Sequence, residues 1–229
     1  MNFRELATRA LLAGLAAGLV FSAFTLPWGT HLILEAEVYE EALPADHEHA
    51  GDDHHGHEEW APQDGLERNL YTVLSAVLMG MGYGLVLAGL MALAGAGGLR
   101  QGLLWGLGGY LSVWLLPALG LPPELPGTQA ADLFARQSWW LFTAVASAGG
   151  LALLFRARTW GWRLAGAALL LLPHLVGAPQ PPVHTSAVPE ALVHRFWLAS
   201  AVTNLAFWLT LGAVTGHLLR PRTPAPRPA

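Results

Sequence analysis

Leu70-Tyr-Thr-Val-Leu-Ser-Ala-Val-Leu-Met-Gly80-Met-Gly-Tyr-Gly-Leu-Val-Leu-Ala-Gly-Leu-Met-Ala-Leu93 runs from end to end without a charged residue. A hydrocarbon core roughly 30 Å thick is crossed by about 20 helical residues, so this stretch is long enough to span it. Five other apolar runs resemble it: Leu6 to Leu26, Leu103 to Leu119, Trp139 to Phe155, Trp160 to Val176 and Phe196 to Leu219. The expected fold is therefore an all-α integral membrane protein with six transmembrane helices. The run from Trp160 to Val176 is the least secure of them, being short and beginning among Arg158, Trp160 and Arg163.

Composition agrees with that class. Of 229 residues, 53% are hydrophobic and only 12% charged, a balance that a soluble domain does not show. Arg4 and Arg9 precede the first apolar run, but no small-x-small cleavage site follows it, so an uncleaved span is expected. Cysteine is absent, which excludes disulfides, thiolate zinc sites and iron-sulfur ligation.

Charge sets the expected orientation. All twelve basic residues are arginine, and once six spans are drawn, only Arg68, Arg136 and Arg195 fall on the side that carries fifteen of the sixteen acids. The arginine-rich side is expected to be cytoplasmic by the positive-inside rule, with both termini there. A strongly acidic outer face concentrates cations and repels anions. Nucleic acid is not an expected partner, since the inner arginines follow from topology and form no aromatic-interleaved binding patch.

Within the spans, Gly14 and Gly18, Gly80 and Gly84, Gly102 and Gly106, and Gly212 and Gly216 share the small-xxx-small spacing that lets helices approach closely in lipid. An internal repeat also emerges. The odd-numbered spans finish with Leu26-Pro27, Leu116-Pro117 and Leu172-Pro173, and each following loop closes with proline, acid, arginine and aromatic. Those series are Pro62, Asp64, Arg68, Tyr71; Pro126, Asp132, Arg136, Trp139; and Pro189, Glu190, Arg195, Trp197. Helix-dipole, snorkelling and headgroup-belt preferences account for most of the closing pattern. The repetition points to three helical hairpins related by an axis along the membrane normal, a natural pathway.

The first outer loop is the longest, and its extra piece, about residues 45–60, is unlike the rest of the chain. From His47 to Trp60 it holds His47, His49, His54, His55 and His57 together with five acids. Imidazole and carboxylate suit borderline divalent ions such as cobalt, nickel and zinc. The alternative is a solvated low-complexity loop. Just before it, His31-Leu-Ile-Leu-Glu35-Ala-Glu37-Val-Tyr-Glu-Glu41 has good helix formers and no glycine; as a helix it places His31 and Glu35 one turn apart, where both can serve one ion. The segment Leu121 to Gly127 is expected to be a proline-rich, nonhelical turn that lets Glu124 face the same vestibule. His174 follows Pro173 in the fifth run, and an ionisable residue at membrane depth is a functional candidate by default. Thr203 and Asn204 read as interhelical hydrogen-bonding residues. The single transmembrane domain ends at 219, and the basic, proline-rich residues 220–229 are expected to be disordered.

Walker A, Rossmann, nucleophile-elbow and zincin patterns are all missing, so neither nucleotide-driven transport by this chain nor hydrolysis is indicated. The chain is not expected to be an enzyme.

Several segments together resemble the CbtA family of probable cobalt transporter subunits. They are Ile33 to Glu37, Trp60 to Arg68, Leu116 to Gly127, Arg136-Gln-Ser-Trp-Trp140 and Pro173-His-Leu-Val-Gly-Ala-Pro179. The resemblance implies an integral inner-membrane protein for cobalt uptake in cobalamin biosynthesis, beside a small one-span CbtB-like partner with a histidine-bearing terminus. The metal-binding residues expected are His31, Glu35, Glu37 and His174 at the entrance, with His47, His49, His54, His55 and His57 as collectors. No cofactor is expected to stay bound; Co(II), Ni(II) or Zn(II) would be the transported ion. The oligomeric state stays open, a homo-oligomer included. The competing reading is a metal-binding accessory or sensor subunit that does not itself transport.

Overall fold

The computed structural model describes residues 2–42, 62–181 and 186–220. The collector histidines at 47, 49, 54, 55 and 57, His184 and the tail from 221 onward lie outside the described residues. In chain order the elements are α1 (Phe3–Phe24), a π-helical turn (Thr25–Gly29), α2 (Thr30–Glu41), α3 (Leu66–Leu93), α4 (Leu99–Gly109), a second π-helical segment (Tyr110–Leu115), α5 (Leu116–Gly120), α6 (Leu133–Arg156), α7 (Trp160–Val176) and α8 (Glu190–Leu218). Among the described residues five helices are long and apolar enough to cross a membrane: Phe3–Glu41, Leu66–Leu93, Leu99–Gly120, Leu133–Arg156 and Glu190–Leu218. The expected fifth run forms a shorter apolar helix with its predicted ends, Trp160–Val176.

Proline behaves differently from expectation. Leu26-Pro27 does not finish the first helix, which continues through the π turn into α2 as one rod to Glu41. Proline has no N–H to donate and its ring crowds the preceding turn. Widening that turn to π geometry relieves the crowding, so the helix survives. The second π segment directly precedes Leu116-Pro117 in the same way. Pro173 sits inside α7, which then ends at Gly177, whose φ of 86° lies in the region that glycine tolerates.

The helices pair as α1 with α3, α4 with α8, and α6 with α7, and α1 also packs along α8. The expected third hairpin is therefore not a packing unit, because α7 lies on α6 and not along α8. Glycine explains the choice of partners. A Cβ on Gly14 would run into the Gly80 backbone, and one on Gly84 into that of Ala10. Gly102 and Gly106 meet Gly212 and Gly216 in the same manner, and Gly150 meets Gly166. In lipid no hydrophobic force distinguishes helix from solvent, so the faces that can approach most closely become the interfaces.

Between two of the glycine-mated pairs, α1/α3 and α4/α8, the space is filled by rings. Phe207 stands edge-on to Phe21 at 6.0 Å and to Tyr83 at 6.1 Å, and Tyr83 meets Trp208 at 5.1 Å. Ala13, Ala17, Leu87, Met91, Tyr110 and Leu211 complete this buried cluster. The bundle has two chemically distinct ends. One is basic, where Arg9 Nη1 donates to the Leu218 carbonyl at 2.9 Å and the Gly98 N–H donates to the Gly216 carbonyl at 2.7 Å. The other is acidic and is capped by α2.

Candidate functional site

At the acidic end the described parts of the second and third connections between spans converge on α2. Leu32 and Ala36, one turn apart and fully buried, pack against Leu125 of the proline-rich turn and against Val188 and Leu192 at the start of α8. An isolated antiparallel bridge between Thr128 and Ser186 ties the second and third connections together. As expected, residues 121–127 are nonhelical and α2 is a helix.

This placement decides what the acids on α2 can reach. Glu35 and Glu37 are two residues apart, about 200° around the helix, so they face different neighbours. Glu37 turns to α3, where Arg68 grips it with both guanidinium nitrogens, at 2.5 and 3.3 Å, while also bonding Asp64 at 3.0 Å. Glu35 turns to α8 and pairs with Arg195 at 3.6 Å. Glu124 does not stand free over a vestibule either, since Arg136 of α6 holds it at 2.7 Å. The three arginines that the repeat assigns to membrane interfaces thus each hold a carboxylate. The clue in the sequence was available: three arginines recur at matching positions on a side rich in acids. Asp132, at the positive end of α6 as the dipole preference expects, caps that helix by accepting the Ala135 N–H at 2.8 Å.

His31 is exposed on α2, one turn before Glu35. His174 belongs to a different part of the molecule. It is half-buried on α7, edge-on to buried Trp139 with ring centroids 6.0 Å apart, and Trp139 Nε1 donates to the Pro173 carbonyl at 3.3 Å. The His174 Nε2 is buried without a hydrogen-bond partner among the described residues. No group of three or more His, Asp or Glu side chains close enough to hold a metal ion is present among the described residues. The four expected entrance residues are therefore not gathered into one coordination shell. His31, Glu35 and Glu37 share α2, and His174 lies apart because α7 packs on α6, whereas α2 packs on α8 and the π turn. Asn204 also departs from expectation, bonding the Ser200 carbonyl of its own helix at 3.0 Å.

Compared with known families, the chain matches CbtA, described as a probable cobalt transporter subunit, over residues 3–220. It belongs to the CbtA family. No curated protein and no solved structure matches the chain. For a CbtA protein the match covers every helix described above, α2 and its arginine partners included. The description as a subunit implies that CbtA works within an assembly, and its described role is transport across a membrane, in keeping with the apolar helices.

Proposed function

We propose that this chain is the inner-membrane subunit of a divalent transition-metal uptake system, with Co(II) as the principal cargo for cobalamin biosynthesis. Six helices span, α7 among them, with both termini cytoplasmic and the acidic end outside. His47, His49, His54, His55 and His57 collect the ion, which then meets His31, Glu35 and Glu37 on α2 and later His174. The observation that carries this reading is the placement of α2. It is continuous with the first span, it bears the imidazole and carboxylates, and it leads directly into the histidine-rich stretch. Its carboxylates are held by partly exposed arginines, which a divalent ion can displace. Ligand exchange of this easy kind suits passage, whereas a tight closed site would trap the ion. Because the ligands are dispersed, the ion is handed on in steps. A small one-span subunit completes the system.

Uptake of radiolabelled cobalt by cells producing the chain, with and without the one-span partner, tests the proposal. Uptake above background in at least one case is expected, and background uptake in both would refute it. The ring-filled centre of the bundle favours a second reading, a membrane subunit that binds metal and passes it to another protein. Deleting residues 46–59 separates the two. A transporter should lose mainly apparent affinity, whereas an accessory subunit built around that stretch should lose its function.

A further inference from the structure

The arginines at the two ends of the bundle differ in their partners. At the acidic end Arg68, Arg136 and Arg195 each hold a protein carboxylate. At the basic end the junction of α6 and α7, Phe155-Arg-Ala-Arg-Thr-Trp-Gly-Trp-Arg163, made of the last residues of α6, the turn and the first residues of α7, carries three exposed arginines, and none of them has an ion-pair partner among the described residues. No acid occurs anywhere between Asp132 and Glu190 that could supply one. Among the described residues only the Arg163 side chain of the three makes a hydrogen bond, from Nε to the Ala157 carbonyl at 3.2 Å, which folds it back over the turn. Phe155, Trp160 and Trp162 flank the arginines and are 82%, 71% and 62% exposed. Apolar rings beside unneutralised guanidinium groups, at the end of two apolar helices, match the boundary between acyl chains and headgroups.

The neighbouring helix has a need that this boundary can meet. α7 has 17 residues, about 25 Å of helix, against roughly 30 Å of hydrocarbon. It packs on α6, and its outward face, with Leu164, Leu171, Leu172 and Leu175, is exposed. A span this short is held at its depth by flanking residues that reach the interface.

We propose that Arg156, Arg158 and Arg163 form a binding site for the phosphate of an anionic phospholipid, with Trp160 and Trp162 against its glycerol and upper acyl region. Guanidinium presents a planar fork that matches phosphate oxygens, and the lipid supplies a counter-charge that no described residue provides to these three arginines. The bound lipid fixes the depth of α7 and, through Gly150 and Gly166, that of α6.

The test uses the full-length protein in phosphatidylcholine vesicles doped with a photoactivatable phosphatidylglycerol or with the matching phosphatidylcholine analogue, followed by peptide mapping. Labelling of residues 155–163 by the anionic lipid should exceed labelling by the zwitterionic one by on the order of fivefold, the selectivity that one arginine near a charged surface supplies. The R156Q/R158Q/R163Q variant should lose the excess, and R100Q, which alters a basic-end arginine outside the turn, should keep it. Because loss of these arginines can also misorient the chain, the wild-type comparison of the two lipids is decisive by itself. Equal labelling by both lipids in the wild type would overturn the proposal. Displacement of the anionic lipid by inorganic phosphate would overturn it as well, by assigning the site to a free anion.

Discussion

Arg68 on α3 and Glu37 on α2 form a two-pronged ion pair across a junction that the apolar packing leaves open to water. Both side chains keep part of their surface exposed, 26% for the arginine and 32% for the glutamate. Asp64 shares the same guanidinium. The pair joins the extension of the first span to the start of the second, and Arg195 with Glu35 joins that extension to α8. The arm that carries the proposed entrance is thus clamped to two helices by charge, on top of a small apolar contact through Leu32 and Ala36.

Breaking one clamp should loosen the arm without unfolding the bundle. Partly exposed pairs contribute about 0–1 kcal/mol, so Arg68→Gln should lower global stability by no more than about that amount. Hydrogen exchange in residues 30–41 should nevertheless rise. Arg68→Lys should fall between wild type and glutamine, because a lysine ammonium keeps the charge but lacks the two parallel N–H donors with which the guanidinium fork matches a carboxylate. Unchanged exchange in Arg68→Gln would show that Leu32 and Ala36 alone hold α2.

The glycine contacts carry a stronger structural role. A Cβ at Gly212 would lie 2.7 Å from Gly106 Cα, too close for either backbone to yield cheaply. Gly212→Ala should cost about 1–3 kcal/mol, the usual range for overpacking, and reduce the yield of folded protein in detergent. Gly82→Ala is the control. Nothing lies within 4 Å of that position, and alanine favours helix by up to about 1 kcal/mol over glycine, so its thermal midpoint should hold or rise. Equal losses in the two variants would remove the argument that close approach selects the helix partners.

The same glycines mark where the sequence was legible and where it was not. The spacing of Gly14 and Gly18, or of Gly102 and Gly106, announces a close-packing face, but nothing in such a pattern states which other face it meets. Pairing of α4 with α8, and of α7 with α6, depends on the shapes of whole surfaces. Helix ends in apolar sequence were clear where arginines and tryptophans punctuate them, as at Trp160. They were less clear at Leu66, where Glu67 and Arg68 lower the hydropathy of a first turn that is helical all the same. The turn from 121 to 127 and the α2 helix followed from local residue chemistry. The arginine clamps did not, because Glu35 and Glu37 are equally suited to a metal or to a guanidinium until the fold brings a partner within reach.

His174 and Trp139 supply a test of whether the membrane-level histidine acts on the cargo. The Trp139 N–H to the Pro173 carbonyl ties α6 to the proline turn. The histidine contributes an edge-to-face contact and, among the described residues, no hydrogen bond through Nε2. His174→Ala should therefore cost about 1 kcal/mol in stability, in line with an aromatic pair, while sharply reducing cobalt uptake. Trp139→Phe retains the ring contact and loses the N–H, so it should lower stability by about 1 kcal/mol and leave uptake close to wild type once corrected for folded protein. Normal uptake by His174→Ala would remove this residue from the proposed path.

Competition between arginine and metal for the same carboxylates makes a prediction whose sign is opposite to that of a simple loss of charge complementarity. An ion that binds Glu35 or Glu37 has to release Arg195 or Arg68, and the free energy of those pairs is subtracted from its affinity. Removing the competitors, in Arg68→Gln with Arg195→Gln, also leaves the acidic end more negative, which draws cations further. If each pair contributes about 0.5–1 kcal/mol, its loss strengthens binding by roughly two- to fivefold. Glu35→Gln with Glu37→Gln should weaken binding. Titration of the purified protein with Co(II), after deletion of residues 46–59 to remove the collector histidines, isolates the contribution of α2. The expected order of affinity is arginine variant, then parent, then glutamate variant. An arginine variant that binds more weakly than its parent would mean that the guanidinium groups hold the carboxylates in position for the metal, so that the ion pairs support the entrance and do not guard it.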